Sequence, residues 1–193
     1  MLKRKKIITI IFVTCIIFCS CTKKNVEESI GGNMSMVNVE LCGFSELREA
    51  ERTTAAHALE DITKIMFYEY AYQRQFNEVA IDIHNRRLYT YPVISSTLDR
   101  RTPDYEMSIE EIEEVLTILE KYNILNWNET YFDESLTEEE EWEAYTWVLF
   151  IQYSDGTVQR FAGMGSYSVS KPENFDAFVE EMINFTHSRV PNN

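Results

Sequence analysis

Four residues, Phe18-Cys19-Ser20-Cys21, carry the clearest chemistry in the chain. A small residue directly before a cysteine is the pattern of a lipobox, in which the thiol takes a diacylglyceryl group as a thioether. The modified cysteine then becomes the mature N-terminus. Ser20 and Cys21 fit that pattern, whereas Phe18 and Cys19 depart from the usual leucine and small residue. Two acyl chains of the palmitoyl type, at about 0.8 kcal/mol per buried methylene, anchor stably where one chain binds only marginally. Upstream, Met1–Lys6 holds four basic residues and is followed by the fourteen-residue apolar stretch Ile7–Ser20. That stretch is shorter than the roughly twenty residues a helix needs to cross hydrocarbon. The expectation is a signal peptide over residues 1–20, lipid on Cys21, and a location on the extracytoplasmic face of the cell membrane.

Other reactive residue types are sparse or unspecific. The histidines are His57, His84 and His187, and no two have the i, i+4 spacing of a helical zinc site. Asp82 and His84 lie two apart on a predicted strand and share a face, as an acid–imidazole pair would. With Ile81 and Ile83 pointing to the core, a solvated strand face accounts for them more simply. Serine-nucleophile, phosphate-loop and dinucleotide motifs do not occur. Gly163-Met-Gly-Ser166 has no lysine and reads as a loop. The densest charge run, Asp133–Glu143, lacks the glycine of a tight calcium loop, and Thr137-Glu-Glu-Glu140 reads instead as a capping box opening a short helix. Carboxylates are too numerous for any pair to be nominated for hydrolysis. No catalytic residue, metal or cofactor is assigned.

Tyrosines are the remaining candidates. Tyr68, Tyr70 and Tyr72 alternate along one strand face, and Tyr89 with Tyr91 form a second ladder. Tyrosine suits a surface with a dry body and a wet tip, as in partner or sugar binding. The competing account places this face beneath the helices, and it is the more economical of the two. Trp127, Trp142 and Trp147 read as core or corner residues.

Charge excludes one class of partner. Four of the 18 basic residues belong to the signal, so the mature part has 14 against 32 acidic residues, a net charge of −18. Such a surface repels nucleic acid, whose affinity for proteins comes largely from clustered Lys and Arg. It repels anionic headgroups as well, which leaves anchoring to the lipid. With Cys15 and Cys19 in the signal and Cys21 lipidated, only Cys42 remains, so a disulfide framework is excluded.

Residues 21–38 have the composition of a flexible tether and residues 39–193 that of one domain. Glu46–Glu60 is helical in composition, weakened by Thr53-Thr54. Met66–Tyr72, Val79–His84 and Leu88–Val93 alternate as strands, with a turn at Asn85-Arg86-Arg87. Ser108-Ile-Glu-Glu111 is a capping box before a stripe of Ile112, Val115, Leu116, Leu119 and Tyr122, and Asn123 is the stop. Asp155-Gly156 joins Thr146–Tyr153 to Thr157–Ala162 as a hairpin. Phe175, Phe178, Val179, Met182 and Phe185 line one side of a last helix from Pro172 to about Thr186. The predicted fold is α+β, an antiparallel sheet with two main helices on one face.

Ile124-Leu-Asn-Trp127, Tyr131, Trp147-Val-Leu-Phe-Ile-Gln-Tyr-Ser-Asp-Gly156, Gly163 and Pro172-Glu-Asn-Phe175 resemble a family of small lipoproteins of Gram-positive gut bacteria. About half of the mature domain is covered, and an acidic insert replaces a glycine-rich loop after Tyr131. The family has no established activity, so the resemblance implies a fold and no function. The expected function is non-enzymatic binding at the cell envelope, to a protein or to cell-wall material. A carboxylate-based hydrolase and a purely structural accessory are the alternatives.

Overall fold

The computed structural model describes residues 44–71, 74–90, 102–141, 143–166 and 170–190, all within one compact unit, Met36–Asn193. Cys21, Cys42, Tyr72, Tyr91, Trp142 and the predicted signal and tether lie outside them.

Seven strands form one sheet: β1 (Ile62–Ala71), β2 (Arg74–Asp82), β3 (Arg87–Tyr89), β4 (Tyr105–Glu106), β5 (Thr130–Phe132), β6 (Tyr145–Tyr153) and β7 (Val158–Gly165). Their order is β4-β3-β2-β1-β6-β7-β5. Pairing is antiparallel except at one edge, where β5 runs parallel to β7. The helices are α1 (Ile109–Lys121), the short α2 (Glu138–Glu141) and α3 (Phe175–His187). The α+β expectation is met, with α1 and α3 packed on one face of the sheet.

Local chemistry explains the element ends. Ser108 Oγ accepts from the Glu111 N–H at 3.3 Å while Glu111 Oε2 accepts from the Ser108 N–H at 2.7 Å, so both halves of the capping box form. Asn123 takes a left-handed conformation with φ +51° and stops the helix. At the β6–β7 turn Gly156 has φ +86°, and Asp155 Oδ1 accepts from the Thr157 N–H and hydroxyl. The β2–β3 turn passes through Arg86 at φ +56°.

Period-two alternation divides the sheet into two apolar faces. Ile65 and Phe67 of β1, Val79 and Ile81 of β2, and Trp147, Leu149 and Ile151 of β6 meet Val115, Leu119, Phe178 and Met182 of the two helices. Met66, Ala80, Val148, Phe150 and Val158 face the other way, where Phe44 and Leu47 of the 3-10 turn Ser45–Arg48 cover them. Strand β6 is apolar on both faces because both are covered.

Two expected local structures do not form. Glu46–Glu60 is not a helix beyond that first turn: the Thr53 N–H donates to Val158 O at 3.0 Å and the Val158 N–H to Glu51 O at 2.8 Å. The segment therefore extends alongside β7, a conformation that suits β-branched Thr53 and Thr54. Gly163 and Gly165 are not loop residues but belong to β7. A Cβ on Gly163 would sit 2.3 Å from Trp147 Nε1 and 2.1 Å from Ser170 O, so the glycine is there to let an indole cross the strand.

Candidate functional site

Strand β1 places Ile65, Phe67, Glu69 and Ala71 toward the helices, and Glu69 is the one acid in that row. It is only 6% exposed. Asn77, its cross-strand partner on β2, donates from Nδ2 to Oε1, and the Tyr145 hydroxyl on β6 donates to Oε2, each at 2.5 Å. Directly after Glu69 the β1–β2 register slips. Bulges of this kind bend a strand and re-aim its side chains, and they concentrate beside functional sites.

Taking an ion out of water costs several kcal/mol unless the surroundings replace its solvation. Two charge-assisted hydrogen bonds supply part of that. Both donors are neutral, and no ion pair among the described residues includes Glu69. The sequence holds a signal for this site that pattern reading passed over: a glutamate where alternation demands a core residue.

In front of Glu69 opens a cleft of about 710 Å³. Its floor is Glu69, Asn77 and Tyr145, with Ala71 beside them. The acidic insert forms the lip through Leu136, Glu140, Glu143 and Ala144, and the end of β7 closes it with Gly165 and Ser166. Thr137–Glu140 forms the expected capping box: Glu140 Oε2 accepts from the Thr137 N–H at 2.9 Å and from its hydroxyl at 2.8 Å. These two bonds, the backbone one foremost, hold the Glu140 carboxyl below its ordinary range. A general acid for hydrolysis needs the opposite shift. A smaller recess of about 330 Å³ shares Glu69 and Asn77 from the α3 side, where Asp176 and Glu180 line it. Among the described residues no three His, Cys, Asp or Glu side chains group closely enough for a metal ion.

The described ladder tyrosines, Tyr68, Tyr70 and Tyr89, do not lie beneath the helices. Tyr68 and Tyr70 stand on the opposite face, stacked at 6.3 Å, with the Arg48 guanidinium 5.5 Å over Tyr68. Phe67 is the residue the helices cover, because β1 is buried on both sides and its aromatics on the two faces have different neighbours. Tyr70 is exposed, Tyr68 half-buried, and Tyr89 buried edge-on against Phe44. The described members therefore do not make one open binding face.

Asp82 and His84 are also separated. Strand β2 ends at Asp82, which is buried and accepts from the Asn85 N–H at 2.9 Å and from Asn85 Nδ2 at 2.8 Å. His84 is exposed in the turn that follows. Asp82 is thus a turn-forming group and not part of a solvated strand face.

A hydroxyl–imidazole–carboxylate cluster that the sequence did not suggest links Thr53, His57 and Asp61. Thr53 Oγ lies 2.8 Å from His57 Nε2, but Nδ1 is 3.9 Å from Asp61 Oδ2, too far for a hydrogen bond. The imidazole stacks on Tyr153 at 3.9 Å and 13°, and Thr53 Oγ is engaged with Ala55 in a local turn. The group clasps the N-terminal segment to the β6–β7 hairpin. Burial, then the carboxylates of Asp61 and Asp155, push the Tyr153 phenol up to about 12. A folded pKa above the unfolded value of about 10 stabilises below pH 10, and the benefit is lost as pH rises through 12. Urea midpoints should fall across that window, and Tyr153→Phe should flatten the fall. An unchanged slope in the variant would assign the effect to another group.

No family model matches the chain, and neither a curated protein nor a solved structure matches it significantly.

Proposed function

We propose that this chain is a lipoprotein held by lipid on Cys21 at the extracytoplasmic face of the cell membrane, where its acidic domain binds a protein or cell-wall ligand without chemical turnover. The anchoring half rests on Met1–Cys21 as sequence. Among the described residues no helix is long and apolar enough to cross a membrane. The observation that carries the binding half is the cleft over Glu69, where a buried carboxylate with neutral donors faces about 710 Å³ of open space. Concave sites with apolar walls and a few fixed polar groups are the usual form of ligand pockets. The hydrolase alternative is less favoured, because Glu140 at the lip is committed to its capping bonds with Thr137, which hold its carboxyl low.

Two measurements test the two halves. Growth with an alkyne-labelled fatty acid should label the wild-type chain and not Cys21→Ser; equal labelling would overturn the anchor. A thermal-shift screen of cell-wall fragments and oligosaccharides should give a ligand that stabilises the domain. At a hundred times its dissociation constant such a ligand adds about 2.7 kcal/mol, a shift of several degrees. Hydrolysis of any fragment during the screen would replace the binding reading with the enzymatic one.

A further inference from the structure

We infer that the Glu69 cleft recognises a ligand through an organic cation, an ammonium or guanidinium group on an aliphatic stem. This rests on the binding reading above and names the chemistry of its ligand. The carboxylate on the floor is nine-tenths buried, is held in place from two strands, and among the described residues receives hydrogen bonds only from the neutral Asn77 and Tyr145. Each of its oxygens has two lone pairs, and one donor engages each, so both can still accept a hydrogen bond. A cation entering the cleft would complete that set and supply the countercharge.

The remaining lining narrows the class. Glu140 and Glu143 at the lip add negative charge, which attracts cations and repels phosphates, carboxylates and acidic glycans. Ala71, Leu136 and Ala144 give the walls apolar surface, which matches a methylene stem. A metal ion would want more charged or imidazole ligands beside Glu69, and among the described residues no three His, Cys, Asp or Glu side chains come together. Lysine or arginine side chains on a peptide, and free alkyl amines, share the required chemistry.

The test uses the full chain in nonionic detergent and calorimetric titration. The probes are N-acetyl-lysine methylamide, N-acetyl-arginine methylamide and cadaverine, with N-acetyl-norleucine methylamide as the neutral control. Binding of at least one cationic probe with a dissociation constant of about 1 mM or tighter is expected, with the neutral control at least about tenfold weaker. Glu69→Gln keeps the shape and the Tyr145 contact, and should weaken the cationic probes at least about tenfold. Glu143→Gln, at the exposed lip, should cost about twofold, and an unchanged melting profile would show that both variants fold. Cadaverine binding as well as the amides identifies a free amine as sufficient; preference for the amides identifies a peptide-borne side chain. Equal binding of the neutral control, or undiminished binding in Glu69→Gln, overturns the assignment. If no cationic probe binds while the fragment screen yields a ligand insensitive to Glu69→Gln, the cation class falls and the binding reading stands. Silence in both removes both.

Discussion

Trp147→Ala is expected to destabilise the domain by about 3–5 kcal/mol, measured as the loss of unfolding free energy in urea. Trp147 is fully buried at the middle of the sheet, with ring centroids 4.6 Å from Phe175, 5.9 Å from Tyr131 and 6.0 Å from Trp127. Its indole N–H donates to Ser170 O at 2.7 Å, tying the segment before α3 to the sheet. Truncation leaves a cavity that residues on three elements cannot close together, and it strands that carbonyl. Natural domains have only about 5–15 kcal/mol in total, so the variant should be partly unfolded near physiological temperature.

The same geometry makes Gly163→Ala unusually damaging for one added methyl group. The new Cβ would press on the indole and on the Ser170 carbonyl, and the latter is backbone that cannot rotate away. Gly156→Ala, by contrast, meets open space and should cost only the positive-φ strain of about 1 kcal/mol. Trp127→Phe supplies the control for the indole contact. Trp127 Nε1 is buried without a hydrogen-bond partner, so losing it removes an unsatisfied donor and offsets part of the lost packing. If Trp147→Ala and Trp127→Phe cost the same, the role assigned to the Trp147–Gly163–Ser170 contact is wrong.

Elements whose signal is local were legible in the sequence. The Ser108 and Thr137 capping boxes, the Asp155-Gly156 turn and the Asn123 stop each depend on groups within a few residues of one another, and all form as read. The α1 and α3 stripes likewise follow from helical periodicity, and Val115, Leu119, Phe178 and Met182 are buried where the stripes place them. What failed depended on partners distant in sequence. Thr53 is drawn into extension by Val158, and Gly163 is shaped by Trp147 and Ser170; neither partner is visible from the local pattern.

The tyrosine ladder shows the same limit in another form. Alternation correctly put Tyr68 and Tyr70 on one face but could not say which face the helices would cover. That choice is made by the whole sheet: Ile65 and Phe67 join Leu149, Ile151 and Phe161 in the larger cluster, and the helices follow the larger apolar area. The candidate site was the least legible part, because Glu69, Asn77 and Tyr145 come from three strands. Its one sequence mark was a charged residue at a core-facing position. Positions that break the local rules in a folded chain are where function is sought, since stability alone gives no reason to keep them.

Arg189→Ala should be the next most damaging change away from the apolar core, at about 2 kcal/mol. The guanidinium donates from Nε to Glu111 Oε1 at 2.7 Å, from one terminal nitrogen to Glu114 Oε2 at 2.6 Å, and from the other to Phe185 O at 2.8 Å. It also lies 3.6 Å over the Phe185 ring, so a single side chain joins the end of α3 to the first turns of α1. Arg189→Lys keeps the charge but loses the planar fork, and should recover less than half of the loss. Acid should expose the same contact. Foremost the Ser108 N–H, and then Arg189 and the Tyr105 hydroxyl, hold the Glu111 carboxyl below its ordinary range. A lowered folded pKa stabilises above the unfolded value of about 4.3 and is lost as pH falls below it. Arg189→Ala should therefore shallow the acid-side decline of the urea midpoint without abolishing it, because the capping bond to Ser108 survives. A double-mutant cycle with Glu111→Gln separates the contributions: coupling of about 1 kcal/mol is expected, and strict additivity would mean that Arg189 acts through Phe185 packing alone.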